Sequence, residues 1–433
     1  MSIPHKRPGE NGTSTEAPTR RNRPLAYTLA ACLAGIAAVY WAVIAVASLD
    51  FVQPRGKYSD FAHFYAAARA VRMGIGPGIY SAAELVRIDR LPSGCAGTSL
   101  QIPYINPPLL AILLQPLTTL SCGDAFRVWR LISLVIWAGV TVLLAWQVWR
   151  RCLQRGASRP WSATAAACII ALSAFSYPIL DGLWLGQVHL LILGGIVLAW
   201  WLREHNQPFL AGMILAAITL IKLLPAVLIF YFLLRRDWRV LAGVAVATVL
   251  LVGVMLVGAG GLLTLLAMIP TLTSGIGLQA WLNEAVITLS PVLGPALVVG
   301  TGLTFTITIV LTHRRGRAEE DATVGYAWAV STMLLVSPLV WLHYLTWLVP
   351  VVAACLPYAR SRMAALGLGL TSATILLSTP LLLGAAPVAM LFCWGLTGAL
   401  YMRGIYRPGY AVSWPDVLHL RRFRPYVASA KAE

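Results

Sequence analysis

The chain is built from apolar runs that stop at arginine, glycine or proline, and runs of that kind commit their backbone to helix. Hydrocarbon offers no water to pair exposed N–H and C=O groups, so a spanning segment must satisfy them within itself. Twelve such runs can be drawn, at 25–49, 127–149, 161–178, 187–202, 208–221, 223–234, 239–257, 292–312, 322–339, 343–357, 362–381 and 386–402. Several fall short of a usual crossing of about 20 residues, so the charges between them must decide the topology. With 58% hydrophobic residues, 11% charged residues, 16 tryptophans and a mean hydropathy of +0.75, there is more apolar surface than a water-soluble domain of 433 residues can hide. The expectation is an all-α, polytopic integral membrane protein with about 12 transmembrane helices.

The formal charge of +17 does not point to nucleic acid. Basic loops flanking apolar spans produce the same excess through the positive-inside rule, and no basic patch with interleaved aromatics lies outside the runs. With Arg20, Arg21 and Arg23 placed inside, the groups at Arg150-Arg151, Arg203, Arg235-Arg236, Arg314-Arg315, Arg360 and Arg403 also fall inside. Both termini are then cytoplasmic, in a multi-pass protein of the cell membrane. Residues 1–24 read as a disordered tail, 25–402 as a single membrane domain and 403–433 as a basic cytoplasmic tail. The run at 25–49 is too long for a signal-peptide core and lacks a small-residue cleavage site, which suits a retained anchor.

Two places test this count. A single helix across 208–234 would put Arg235-Arg236 outside, so the run is split at Lys222. Counting 105–120 as a span would invert every later loop. That segment opens with Pro107-Pro108 and is interrupted at Pro116, as a re-entrant or interfacial helix would be. Two long outer loops remain, at about 50–126 and 258–291. The first is too long for a simple connector and carries a helical stretch from Asp60 to Met73. Cys95 and Cys122 both lie in it, either as a disulfide or as two free thiols.

In this topology the conspicuous polar residues gather on the outer side: Asp60, His63, Asn106, Asp181, Gln187, His189, Lys222, Trp281, Asn283, Glu284, Trp341 and His343. Polar groups at that depth are expensive unless they face protein or a wet cavity, so their shared level points to one outward-facing site. Asp60 is the leading candidate for a base, although aspartate at a helix start also caps backbone N–H groups. His63, one turn later, either serves that site or belongs to a plain helix surface. Lys222, flanked by leucine and isoleucine, suits a bound phosphate as a point charge; the plainer reading is a snorkelling lysine. Gln187 and His189 in Gly-Gln-Val-His suit sugar binding or simple packing. His343 suits phosphate or partnership with the base, and Trp341 suits the site or an interfacial belt. The histidines lack metal-ligand spacing.

Taken in order, DFAHFYAAARAVRMGIGPGIY at 60–80, YINPPLLAILLQPL at 104–117, GQVHLLIL at 186–193, IKLLPAVLIFYFLLRRDWR at 221–239 and SPLVWLHYLTW at 337–347 resemble glycosyltransferase family 87. This branch of the membrane C-type glycosyltransferases includes polyprenol-phosphate-mannose-dependent α-1,2-mannosyltransferases. The resemblance implies a C-type fold with a large first outer loop carrying amphipathic helices. It implies a polyprenyl-phosphate-linked sugar donor, a glycolipid or glycan acceptor and an inverting transfer with no cofactor. It places the catalytic aspartate on Asp60, the lysine before a proline on Lys222 and a Trp-x-His element on Trp341 and His343. Asn106, Asn283, Gln187, His189 and His63 complete the expected donor-binding set. The chain departs from the family's pattern at Val340, Tyr344, His189 and Asn283-Glu284-Ala285. A transporter or lipid flippase is the alternative of a different class. It predicts repeat symmetry and an ionisable group near the midplane, and neither is legible here. A structural or assembly subunit is a third class, and would need none of the outer polar set.

Overall fold

The computed structural model describes residues 23–50, 60–91, 95, 103–273, 293–314, 322–337, 342–358, 362–377 and 386–405. Every described regular element is helical. They are α1 (Arg23–Asp50), α2 (Asp60–Arg72), α3 (Ala82–Asp89), α4 (Leu109–Leu114), α5 (Cys122–Gln154), α6 (Arg159–Ala174), α7 (Tyr177–Leu185), α8 (His189–Glu204), α9 (Pro208–Ile221), α10 (Ala226–Leu234), α11 (Trp238–Gly258), α12 (Leu262–Thr273), α13 (Leu293–Arg314), α14 (Ala322–Leu335), α15 (Leu348–Cys355), α16 (Arg362–Leu377) and α17 (Ala386–Ile405). Short 3-10 turns at Gly76–Tyr80, Gln115–Thr119, Leu342–Trp347 and Leu356–Tyr358 link them.

By length and composition four stretches can each cross a membrane unaided: Tyr27–Ala47, Cys122–Gln154, Arg159–Leu185 and Trp238–Gly258. The other apolar runs form shorter helices, many of 10–17 residues, so a count of twelve crossings stays an expectation of the charge pattern. The break foreseen at Lys222 is present. Helix α9 ends at Ile221, and Lys222 turns extended at φ −150°, ψ 125° before Pro225 opens α10. The segment at 105–120 is also not a continuous crossing. Pro108 caps α4, and Pro116 turns the chain into a 3-10 helix over Gln115–Thr119.

Local chemistry sets the helix starts. Ser121, Ser158 and Asp237 cap α5, α6 and α11 by accepting from the N–H groups of Asp124, Trp161 and Val240. Glycines then let helices touch: a Cβ on Gly212 of α9 would strike the Val240 carbonyl of α11, and one on Gly243 the Phe209 carbonyl of α9. Reciprocal small residues of this kind bring two backbones together where lipid gives no hydrophobic drive.

The described residues between α1 and α5 pack as a cap. Helix α2 buries Phe61, Phe64, Tyr65 and its alanines and packs on α3, α4 and the turns beside them. Tyr65 Oη donates to the Leu120 carbonyl across 2.7 Å. A Cys95–Cys122 disulfide ties the loop to the first residue of α5, and the Asp89 carboxylate accepts from Cys95 N–H at 2.8 Å beside it. Of the two states open in the sequence, the pair is oxidised.

At the far end of α8 from His189, Glu204 accepts from Arg151, from Trp200 Nε1 and from Thr323 Oγ1. Arg203 pairs with Asp237 at 2.7 Å. These ties join α5, α8, α11 and α14, leaving the other end of α8 to form the site.

Candidate active site

The site forms where α7 turns into α8. Helix α7 ends at Gly186, which adopts the left-handed φ of +67°. A Cβ there would also press on Phe126 and Phe61, so glycine is required both by the turn and by the close approach of α2 and α5. Two α5 side chains fasten the turn from behind. Trp129 Nε1 donates to the Gly186 carbonyl at 2.8 Å, and Arg130 Nε to the Leu183 carbonyl at 3.2 Å. The Arg130 guanidinium lies over the Phe126 ring at 4.2 Å, which spreads its charge in a dry setting.

This geometry aims Gln187 at α2. Its Oε1 accepts from Val188 N–H at 3.2 Å, which orients the amide so that Nε2 donates to Asp60 Oδ2 at 2.5 Å. Asp60 is therefore held as a hydrogen-bond acceptor from another part of the chain. Burial pushes its carboxyl up to about 6; the Gln187 hydrogen bond and the Lys222 charge oppose the rise, and the Asp181 charge adds to it. The group is mostly ionised at neutral pH and still able to take up a proton, a setting suited to a general base.

Two histidines lie in the adjoining wall. His343, in the 3-10 turn before α15, and His189, at the start of α8, are both almost fully buried, with ring centroids 5.3 Å apart. His343 Nδ1 faces Asp181 Oδ2 of α7 at 3.5 Å. His343 Nε2 and both ring nitrogens of His189 have no hydrogen-bond partner among the described residues. Gly182 makes room for this pair, since a Cβ there would overlap the His189 ring. The backbone is pinned too, with Trp347 Nε1 donating to the His189 carbonyl at 3.0 Å. Buried polar nitrogens without partners are costly, and they mark a place where a ligand can supply the missing bonds.

Lys222 completes the wall. Its Nζ stands 4.5 Å from the centroid of the Tyr344 ring, which stacks in parallel on Trp347 with centroids 4.7 Å apart. Its charge acts on Asp60, His189 and His343. The result is a carboxylate, an ammonium and two imidazoles converging at the ends of several helices.

Of the residues singled out in the sequence, Asp60, Gln187, His189, Lys222 and His343 are thus brought together. His63 is half-buried and makes no hydrogen bond to these among the described residues; burial pushes its imidazole down to about 4. Asn106 is buried, and its carbonyl accepts from Tyr80 at 3.1 Å, which anchors the cap. Trp281, Asn283, Glu284 and Trp341 lie outside the described residues. Among the described residues no group of three or more histidine, cysteine, aspartate or glutamate side chains is placed to hold a metal ion. Asp181 is among the outer polar residues picked from the sequence but is given no role there, and Tyr344 is noted only as a departure from the family's pattern. The sequence signal for Asp181 is a carboxylate interrupting an apolar run; that of Tyr344, the aromatic beside Lys222, emerges only with the fold.

The chain is similar to three mycobacterial enzymes. It is 28% identical over 303 residues, 66% of this chain and 69% of the relative, to a polyprenol-phosphate-mannose-dependent α-(1-2)-phosphatidylinositol pentamannoside mannosyltransferase of Mycolicibacterium smegmatis. A phosphatidylinositol mannoside mannosyltransferase of the same organism is 27% identical over 63% of this chain and 67% of its own length. Its counterpart from Mycobacterium tuberculosis is 28% identical over 65% and 69%. No solved structure matches the chain. The family model for glycosyltransferase family 87 matches residues 104–338, a stretch that contains Gln187, His189 and Lys222. On that match, more than half of the sequence, the chain is a membrane glycosyltransferase and belongs to glycosyltransferase family 87.

Proposed function

We propose that the protein moves a hexose, mannose above all, from a polyprenyl-phosphate-linked donor to a hydroxyl of a lipid or glycan acceptor on the outer face of the cell membrane. The observation that carries this reading is the Asp60 carboxylate, held by Gln187 and within the field of Lys222, beside two buried imidazoles with unpaired nitrogens. A base and an anion-binding wall are the two parts such a transfer needs. The three mycobacterial relatives, whose names specify a polyprenol-phosphate-mannose donor and phosphatidylinositol mannoside acceptors, support the choice of donor and make a glycolipid the first acceptor to test.

In this mechanism the donor's polyprenyl tail lies among the helices and its phosphate meets Lys222 and His343. Asp60 removes the proton from the acceptor hydroxyl as that oxygen attacks the anomeric carbon. The bond from the anomeric carbon to the phosphate oxygen breaks on the opposite side, with inversion, and its electron pair leaves with the polyprenyl phosphate. General base catalysis contributes typically about 10²–10⁴-fold; positioning and stabilisation of phosphate charge supply the remainder. Gln187 and His189 line the approach between the two.

The test is purified protein in detergent with radiolabelled polyprenyl-phosphate mannose and a total membrane-lipid extract. The expected result is label in a new glycolipid. Movement of the donor across a vesicle membrane with no new glycosidic bond would instead support a flippase.

A further inference from the structure

Asp181 has no part in the mechanism above, yet its position needs an account. It stands in the apolar helix Tyr177–Leu185, whose sequence YPILDGLWL holds one charged residue. A carboxylate there is expensive unless it is paired. Among the described residues its ion-pair partner is His343, with Nδ1 3.5 Å from Oδ2. The next residue, Gly182, makes the space that His189 fills. One short helix thus shapes both members of the histidine pair, the first by charge and the second by absence of a side chain.

We propose that Asp181 is a positioning residue that holds His343 as a donor toward the phosphate of the lipid substrate. This rests on the transferase reading given above. An imidazolium buried beside Lys222 and His189 is opposed by two effects, loss of water and like charge. A carboxylate on the Nδ1 side offsets both and fixes which ring nitrogen faces away. With Nδ1–H facing the carboxylate a neutral ring has no proton on Nε2, so the ring takes up a second proton from solvent when a phosphate, the second anion on this ring, binds. His343 then donates from Nδ1 toward Asp181 and from Nε2, buried and unpaired among the described residues, to a phosphate oxygen. Among the described residues Asp181, His343, His189, Lys222, Asp60 and the nearby Tyr177 and Tyr344 are the ionisable groups of this wall, and Asp181 supplies its negative charge on the Nδ1 side of the His343 ring. When the bond to the anomeric carbon breaks, the same hydrogen bond meets the added charge on the departing phosphate.

The experiment is a double-mutant cycle of Asp181→Asn and His343→Gln in the full-length protein, read by binding of undecaprenyl phosphate in detergent micelles and by donor and acceptor KM in turnover. The expectation is that each single variant weakens undecaprenyl phosphate binding at least tenfold and raises donor KM by a similar factor. Acceptor KM should stay within twofold, and the double variant should be no worse than the weaker single. Non-additivity of that kind identifies two residues acting as one unit. An effect of Asp181→Asn below twofold on lipid phosphate binding would overturn the proposal, as would losses that multiply in the double variant. Asp181→Glu, which keeps the charge, should recover part of the binding, whereas no recovery beside a lowered Tm would show a role in folding alone and also overturn it. Because the first readout is binding, it stands apart from the transferase reading, which fails separately if the wild-type protein makes no glycolipid.

Discussion

Gln187 Nε2 donates to Asp60 Oδ2 across 2.5 Å, joining residues 127 positions apart. The bond links α2 to the α7–α8 turn, so the candidate base is positioned by a helix junction that is itself pinned by Trp129 and Arg130. A hydrogen bond to a carboxylate favours its ionised form. Gln187→Leu removes that support while leaving burial in place, so the Asp60 carboxyl should rise further above 6. The acid limb of kcat/KM against pH should then move to higher pH, with the largest loss of activity below neutrality. A limb that stays in place would show that Gln187 does not tune the base.

In the wild-type protein the sign of the pH dependence follows from the raised value of about 6. A base acts when deprotonated, so activity should be near its plateau at pH 7.5 and fall as pH drops through about 6, to about a tenth by pH 5. An acid limb near 4, the ordinary carboxylate range, would mean that the base sits in water rather than in this site. His63, pushed down to about 4, should leave the profile between pH 5 and 8 unchanged when replaced by glutamine.

Lys222 rests over the Tyr344 ring, and a desolvated cation–π contact of this kind is worth up to about 2 kcal/mol. Tyr344→Phe keeps the ring face and should preserve donor KM within about twofold. Tyr344→Leu removes the face, and donor KM should rise about 5–30-fold, equivalent to that energy. Equal KM values in the two variants would show that the ring does not hold the ammonium.

The Cys95–Cys122 disulfide closes a loop with a sequence separation of 27. Cross-links of that size contribute typically about 2–4 kcal/mol. Replacing both cysteines by serine should lower the Tm of the purified protein by several degrees and loosen the cap that carries Asp60, seen as faster proteolysis between residues 60 and 120. An unchanged Tm and proteolysis pattern would show that packing of α2 on α4 alone holds the cap.

Much of this site was legible before the fold was known, for a specific reason. The positive-inside rule proposes sides for the loops, and under that expectation Asp60, Gln187, Lys222 and His343 share one level; the fold brings the four together. The need to keep Arg235-Arg236 inside located the break at Lys222, and Pro107-Pro108 and Pro116 located the interruption of 105–120, because a missing N–H and a fixed φ act locally. Pairings between distant segments were not legible. Nothing in the chain's order couples Asp181 with His343, or puts the Tyr344 ring beneath Lys222, because both depend on how α7, α9 and the Leu342–Trp347 turn pack. Asn106 was picked from its place in the outer loop; the structure adds that its backbone carbonyl accepts from Tyr80 in the cap. The number of crossings was the hardest feature to read, since α9, α10 and α15 have 14, 9 and 8 residues, too short individually for a bilayer of about 30 Å.

The central claim is that Asp60 removes the acceptor's proton. The most direct measurement is the rate of glycolipid formation from polyprenyl-phosphate mannose by purified Asp60→Asn beside the wild-type protein, with donor binding measured on both. The asparagine keeps the shape and a hydrogen-bonding partner for Gln187 but cannot take a proton, so transfer should fall by about 10²–10⁴-fold while donor binding changes little. Near-normal transfer by Asp60→Asn would contradict the account.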